Sequence, residues 1–292
     1  MPESPRDIRR RIRATKNMAQ ITRAMQQVAT ARLRRAQNRV SEARPYAESI
    51  REVLAGLSAS HSSEVSHPLL TTREGVNAIG IVSVTPDRGL CGGLIANVNR
   101  AVNRFVRDQS APVHAYAIGR RGRDFLRRTG VKIEGEETVL GDYPEIDRVL
   151  GLARLIMDQY ADGTVDKVFL AYTRFVSTVR QEPVVVQLIP VQPPEKSDDD
   201  NGEQAGNFDY EYEPSANDVL DGLLPRYVEV QIYQALLESK ASEQAARLVA
   251  MRNATDNANE LAGALTLNLN KARQAQITTE ISEIAAGAEA LA

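Results

Sequence analysis

Both ends of the chain carry narrow apolar stripes with helical spacing. Residues 6–44 contain neither glycine nor proline, and residues 226–292 contain no proline. In each segment apolar or small residues recur every three or four positions, at Met25, Ala29, Leu33, Ala36, Val40 and Ala43, and at Ile277, Ile281, Ile284, Ala288 and Leu291. A stripe this narrow is typical of a coiled coil rather than of a helix that covers a broad core. The pattern predicts that the two terminal helices pair with each other as an antiparallel coiled coil.

The ends of these helices follow from proline, glycine and the aromatic residues. Pro45 is predicted to kink the first helix, which resumes through Ala55 and stops at Gly56. The second helix is predicted over residues 226–292, a length of about 100 Å at 1.5 Å per residue. All aromatic residues lie between positions 46 and 233. Because aromatic side chains usually supply much of a core's buried area, the aromatic-free ends, residues 1–45 and 234–292, are expected to be slim helices outside the main core.

The middle of the chain alternates between buried strands and amphipathic helices. Residues 58–75 have the composition of a polar loop. We then predict strands at 78–84, 113–118, 167–175 and 183–189, and helices at 94–108, 120–129 and 146–160. This alternation indicates an α/β unit with a largely parallel sheet and an antiparallel addition. The predicted fold is α/β, a long antiparallel coiled coil with an inserted Rossmann-like domain, divided as 1–57 (coil helix), 76–192 (α/β domain), 193–221 (acidic linker) and 222–292 (coil helix).

Charge is distributed unevenly, although the formal net charge is only −2. Residues 1–44 carry 12 basic and 3 acidic side chains, whereas residues 195–221 carry 10 acidic side chains and one lysine. We interpret residues 195–206 as an acidic surface loop. One cysteine, Cys91, and three histidines exclude an intrachain disulfide and leave little for a metal site. With no run of 18 apolar residues, no membrane span is expected.

The turn from Asp87 to Gly93 follows a predicted strand and opens a predicted helix. Its glycines could present N–H groups to a phosphate, so one hypothesis is a nucleotide-binding enzyme with helical arms for dimerisation. The turn matches neither G-x-G-x-x-G nor a P-loop, and a structural turn is the favoured interpretation. Cys91 has no local base to activate it and is interpreted as a packing residue. Because no catalytic pair, triad or metal spacing emerges, we predict no catalytic residue, metal or cofactor.

The basic N-terminal helix leaves further alternatives open. Its arginines could bind nucleic acid, anionic lipid or acidic protein loops. They are Arg9, Arg10, Arg11, Arg32, Arg34 and Arg35. No aromatic residue interleaves for base stacking, and the total charge is near neutral, so nucleic acid is not the expected partner. In the C-terminal helix we assign small polar residues to the face away from the coil, namely Thr255, Asn257, Asn259, Thr266, Asn268 and Asn270. Such a weakly charged face predicts burial against a partner protein.

Four motifs carry a resemblance that covers nearly the whole chain. They are residues 8–12 with 16–29 (IRRRI, KNMAQITRAMQQVA), residues 87–93 (DRGLCGG), residues 238–258 (ESKASEQAARLVAMRNATDNA) and residues 270–288 (NKARQAQITTEISEIAAGA). Together and in this order they resemble the gamma subunit family of F-type ATP synthases. The last motif is the most specific, since it resembles the signature of that family.

The resemblance implies a rotor shaft that performs no covalent chemistry. In the family, the paired terminal helices sit inside a ring of three alpha and three beta subunits, and the α/β domain rests beside epsilon on the membrane c-ring. The resemblance further implies that Arg23 and Met25 meet acidic loops of beta. It implies that Arg273, Gln274 and Thr278, with Glu280 beside them, meet a catching loop of beta.

Two departures from the family pattern refine the expectation. The acidic stretch 195–206 looks like an insertion in a variable loop. A chloroplast-type regulatory disulfide cannot form, since Cys91 is the only cysteine. No mitochondrial presequence precedes Arg6, so we expect a bacterial protein at the cytoplasmic face of the plasma membrane, held there only through its complex.

Overall fold

The computed structural model describes residues 4–60, 67–73, 75–192 and 216–289. It forms two compact units, residues 1–30 with 247–292, here called the coil unit, and residues 31–246, here called the α/β unit. The first helix, α1 (Pro5–Ser60), and the last, α5 (Ala216–Glu289), each contribute to both units. The predicted acidic loop at 195–206 lies outside the described residues.

The α/β unit contains a five-stranded sheet with the strand order β3-β2-β1-β4-β5. The strands are β1 (Ile79–Val84), β2 (Val113–Ile118), β3 (Lys132–Glu137), β4 (Lys167–Phe175) and β5 (Gln181–Ile189), and the helices between them are α2 (Leu94–Asp108), α3 (Arg120–Thr129) and α4 (Asp147–Ala161). The first four strands are parallel, and β5 pairs antiparallel with β4. The Rossmann-like prediction is therefore confirmed, including the antiparallel addition.

Side chains of alternate strand residues build a core on each face of this sheet. On one face Ile81, Ala115 and Ala117 pack with α2 and α3. On the other face Val82, Tyr116 and their neighbours pack with α4 and with the parts of α1 and α5 that belong to this unit. Because both faces are covered, the central strands β1, β2 and β4 are nearly continuous apolar runs, which made them visible in the sequence.

The strand β3 was missed in the sequence. Its residues, KIEGEE, are mostly charged, because the strand lies at the edge of the sheet and is only partly buried. Charged residues are common on such edges, where they discourage pairing with other chains. A Cβ at Gly135 would lie 2.6 Å from Leu152 Cδ1, so a larger residue here would force this leucine side chain to move.

Both long helices extend beyond their predicted ends. The helix α1 continues through Pro45 and past Gly56 to Ser60, so the predicted stop at Gly56 is wrong. Ala47, Ile50 and Leu54 are buried in the core, and this packing outweighs the local cost of proline and glycine. Likewise, α5 begins at Ala216, ten residues before the predicted Arg226, with Pro225 inside it.

The coil unit joins the start of α1 to the end of α5 along a seam of small residues. The seam's buried positions are Ile8, Ala19, Thr22 and Ala29 on α1 and Met251, Thr255, Ala258, Ala262 and Leu265 on α5. On α5 these positions alternate by four and three residues, the coiled-coil spacing. The predicted pairing of the terminal helices is thus confirmed, and Ala29 from the predicted stripe takes part in it.

The second predicted stripe does not take part in the seam. Ile277, Ile281 and Ile284 are 47%, 61% and 73% exposed, and Ala288 is also exposed, while Leu291 lies outside the described residues. On α5, the last partly buried residue is Ala272, 17 residues after Thr255. On α1, the first partly buried residue is Pro5, 17 residues before Thr22, so burial on the two helices ends at the same distance from the Thr22–Thr255 contact. The seam stops because α1 starts there, so the rest of α5 continues without a partner helix among the described residues.

Candidate functional site

A buried hydrogen bond fixes the register of the coil. The hydroxyls of Thr22 and Thr255 lie 2.7 Å apart across the seam, and the side chains are 6% and 4% exposed. Each hydroxyl also approaches carbonyl oxygens of its own helix, Met18 and Ala19 for Thr22 and Met251 for Thr255. The sequence-based assignment of Thr255 to the outer face is therefore wrong, because a threonine that satisfies its hydroxyl locally can occupy a seam position.

The outer surface of the coil unit carries large apolar side chains. Met18, Ile21 and Val28 on α1, and Leu261 and Leu267 on α5, are each about half exposed. The seam, by contrast, consists largely of alanine and threonine. The small seam residues let the two helix backbones approach closely, and the large apolar side chains lie on the outer surface. Half-exposed apolar side chains on both helices make this surface available for contact with another protein.

Arg23 and Met25 lie on α1 between the seam positions Thr22 and Ala29. Arg23 is exposed and Met25 is half-buried. Met25 is therefore both a coil-packing residue and accessible from outside, as its position on the predicted stripe suggested.

The other predicted contact residues lie on the end of α5 that has no partner helix among the described residues. Arg273, Gln274, Thr278 and Glu280 are all exposed, and the Thr278 hydroxyl donates to the Gln274 carbonyl at 2.9 Å. If Thr22 is level with Thr255 in an antiparallel pair, Arg273 lies about 30 Å along the axis from Met25, at 1.5 Å per residue. The coil unit thus keeps the predicted contact residues as two clusters rather than one site.

Asp87 organises the turn that the sequence had singled out. Its Oδ1 accepts N–H bonds from Arg120 and Val139 at 3.0 and 3.2 Å, and its Oδ2 accepts one from Leu140 at 2.9 Å. Burial alone would raise the pKa of this carboxyl, but the three N–H donors and the charge of Lys240 hold the pKa below its ordinary value. The N–H groups at this end of the sheet therefore already bind a carboxylate of the chain.

Other parts of the same turn fit a structural role. Cys91 is 1% exposed, and its Sγ points at the Arg88 carbonyl. Leu90 has a positive φ of 64° and is 62% exposed. The role of Asp87 was missed in the sequence because its donors come from two distant segments. Its place directly after a buried parallel strand was the available signal.

Part of the basic helix is held by the α/β unit itself. Arg32 forms an ion pair with Asp142 at 2.9 Å, Arg35 donates to the Tyr143 hydroxyl, and Arg39 donates to the Pro144 carbonyl. The guanidinium groups of Arg35 and Arg39 also lie over the Tyr143 ring. These arginines therefore anchor α1 on the loop before α4.

The described residues form neither a membrane-spanning helix nor a cluster of metal-binding side chains. Within ranges 4–60, 67–73, 75–192 and 216–289, no helix is long and apolar enough to cross a membrane. The same ranges contain no group of three or more histidine, cysteine or acidic residues placed to hold a metal ion.

Comparisons with known proteins agree along the whole chain. A family model described as ATP synthase matches residues 4–291. The ATP synthase gamma chain of Dehalococcoides mccartyi is 51% identical over 288 residues, which cover 98% of this chain and 99% of the relative. That of Chloroflexus aurantiacus is 50% identical over 295 residues, which cover 100% and 99%.

Solved structures with low sequence identity share the fold. A chain of the Euglena gracilis mitochondrial ATP synthase (OSCP/F1/c-ring, rotational state 3) has a TM-score of 0.68 at 17% identity, covering 98% of this chain and 94% of its own. A chain of the Tetrahymena thermophila mitochondrial ATP synthase central stalk and c-ring has a TM-score of 0.60 at 22% identity, covering 80% and 99%. With the two-helix coil, the Rossmann-like sheet and about half of all residues shared with gamma chains, this chain belongs to the ATP synthase gamma chain family.

Proposed function

We propose that the protein is the central shaft of a proton-translocating F-type ATP synthase and catalyses no covalent step itself. Three alpha and three beta subunits surround the coil unit, and the α/β unit contacts epsilon and the c-ring. The complex lies at the cytoplasmic face of a bacterial plasma membrane, and the chain reaches the membrane only through these partners. Family membership supports this proposal.

The end of α5 that has no partner helix among the described residues is the observation that carries the proposal. Ile277, Ile281 and Ile284 form an exposed stripe at a place where α1 no longer runs alongside. An apolar stripe on a lone helix in water is unfavourable, and its burial by a surrounding protein collar removes that cost. The weakly charged, small side chains on the other faces suit a shaft that turns, because deep interlocking would hold it in place.

A single shaft inside a threefold collar couples rotation to ligand binding. The two helices are different in sequence, so each beta subunit faces a different surface at a given angle. Contacts that favour a different conformation at each site make the nucleotide affinities unequal. Turning the shaft then moves each site through the sequence of conformations.

We further propose that both clusters on the coil unit contact beta subunits. Arg23 and Met25 face acidic loops of beta, and Arg273, Gln274 and Thr278, with Glu280 beside them, face a catching loop of beta. Their exposure and their match to the family motifs support these assignments.

Co-purification tests the assembly. A tagged chain, expressed with alpha, beta and epsilon, is expected to recover alpha and beta at a 3:3:1 ratio. The variant Ile281→Asp places a charge in the apolar stripe and is expected to weaken that recovery, whereas Ser282→Ala, on an exposed neighbour, is the control. Recovery of the chain without alpha and beta would contradict the proposal.

The variant Met25→Lys tests the contact nearest the seam. An ammonium group facing acidic loops adds a charge pair worth on the order of 1 kcal/mol, made at some shaft angles and broken at others. We expect an assembled complex that hydrolyses ATP but transports fewer protons per ATP than the control Gln27→Lys. ATP-driven acidification of vesicles, measured with the ATPase rate, gives this ratio. An unchanged ratio would place Met25 away from any torque-bearing contact.

A further inference from the structure

The strand β4 is longer than the partner strand on one of its sides. Its pairing with β1 ends at Ala171, opposite Ser83, whereas its pairing with β5 continues to Phe175. Beyond this point the chain after β1 stays with β2, since the Thr85 N–H donates to the Ile118 carbonyl. The last residues of β4 therefore have an open edge on the β1 side.

Side chains of α5 occupy this open edge. The Thr173 N–H donates to Ser239 Oγ at 3.3 Å, and Ser242 Oγ donates to the Thr173 carbonyl at 3.2 Å. Two residues further along the strand, burial raises the pKa of the Glu238 carboxyl, and the neighbouring Phe175 N–H partly offsets that rise. N–H groups two residues apart on a strand point to the same side, so all three contacts lie on one edge. They replace the pairing that β1 would otherwise provide.

The contacts are buried. Thr173, Ser239 and Ser242 are 3%, 4% and 0% exposed. A buried backbone group without a partner loses the hydrogen bonds it makes with water in the unfolded chain, so these bonds strongly favour one placement of the helix. On the helix, residues three and four apart share a face, which is why one face can reach two strand positions.

Near these contacts α5 packs on the sheet through small side chains, whereas its large side chains in the sheet core, such as Ile232 and Leu236, precede Glu238. Ala241 and Ala245, on the same stretch of helix, are fully buried, and alanine side chains interlock weakly with a neighbouring sheet. The hydrogen bonds to the open edge therefore add a specific contact that favours one register of this stretch of α5 on the sheet.

We propose that Glu238, Ser239 and Ser242 form an edge clamp that holds α5 in register on β4 and so transmits torque from the α/β unit to the coil helix. These are positioning residues, since they act through α5 and contact no substrate. The proposal rests on the proposed shaft function. If the membrane ring turns the α/β unit, any sliding of α5 along the sheet means that only part of each rotational step reaches the coil helix.

Two measurements test the clamp. The first is amide hydrogen exchange of the full chain. Ser239→Ala removes the acceptor of the Thr173 N–H. Hydrogen exchange of the Thr173 amide is therefore expected to accelerate at least about tenfold. Ser239→Thr, which keeps the hydroxyl, restores protection, and Ser41→Ala, at an exposed position on α1, leaves it unchanged. Unaltered exchange at Thr173 in Ser239→Ala would overturn the clamp itself.

The second measurement is the ratio of ATP-driven proton transport to ATP hydrolysis in the assembled complex. For Ser239→Ala combined with Ser242→Ala we expect near-normal hydrolysis and a ratio at least about threefold lower, with partial rescue by Ser239→Thr. If the double variant does not fold, Ser242→Ala alone is compared in the same way. Faster exchange with a normal ratio would refute the torque role. A wild-type chain that supports no coupled transport would instead refute the proposed shaft function.

Discussion

Removing the hydroxyl of Thr22 or Thr255 is expected to weaken the coil unit by a predictable amount. Valine has nearly the same shape as threonine, so Thr22→Val and Thr255→Val remove polar atoms without opening a cavity. The two hydroxyls are buried and 2.7 Å apart. Each single variant leaves the opposite hydroxyl without its partner across the seam, which costs about 1 kcal/mol. The double variant leaves no unpaired hydroxyl and is expected to cost well under 2 kcal/mol, a coupling energy of about 1 kcal/mol.

Urea unfolding of the full chain, followed by far-ultraviolet circular dichroism, measures these differences. Thr30→Val is the matched control, because the Thr30 hydroxyl also bonds to its own helix, at Gln26, but is exposed and has no partner on α5 among the described residues. We expect this control to change the unfolding free energy by less than about 0.5 kcal/mol. Additive losses in the double variant would show that the two threonines do not interact and that the register of the seam is wrong.

Three further changes test the fold and the turn. Gly119→Ala places a Cβ 1.8 Å from the Thr85 carbonyl oxygen at a φ of 94°, so the unfolding free energy should fall by more than about 4 kcal/mol in urea titrations. Asp87→Asn weakens the three N–H bonds that the carboxylate accepts and should lower the free energy of unfolding by about 2 kcal/mol at pH 7. Because the folded-state pKa of Asp87 is lowered, its contribution in the wild type is present above the ordinary value of 3.8 and is lost as the pH falls below it, a dependence that the variant should lack. Thr22→Cys with Thr255→Cys should crosslink on oxidation, since Cys91 is buried and does not compete; failure to crosslink would argue against the antiparallel pair.

The sequence identifies elements whose burial is complete within the chain. The strands β1, β2 and β4 were visible because both faces of the sheet are covered, and Ala29, Leu33 and Ala36 are buried as their spacing predicted. The edge strand β3 was not visible, because a half-buried charged strand has no distinctive pattern. Local signals also failed where tertiary packing dominates, as at Gly56, through which α1 continues.

Apolar spacing alone does not identify the chain that covers a stripe. The isoleucines at 277, 281 and 284 have the spacing of a coil seam, yet they are exposed. The real seam on α5 includes Thr255 and Ala258, small residues that do not stand out. Asp87 was equally hidden, since its three N–H donors come from two distant segments of the chain and only the fold brings them together.

Rotation of a single complex tests the shaft proposal most directly. Arg128 is exposed on α3, so Arg128→Cys offers a site for a visible probe on the α/β unit, while Cys91 is buried. The complex is immobilised through its beta subunits and supplied with ATP. The proposal predicts that the probe turns in one direction, with three dwell positions per revolution, at a rate that follows ATP hydrolysis. A probe that stays in place while the same complexes hydrolyse ATP would contradict it.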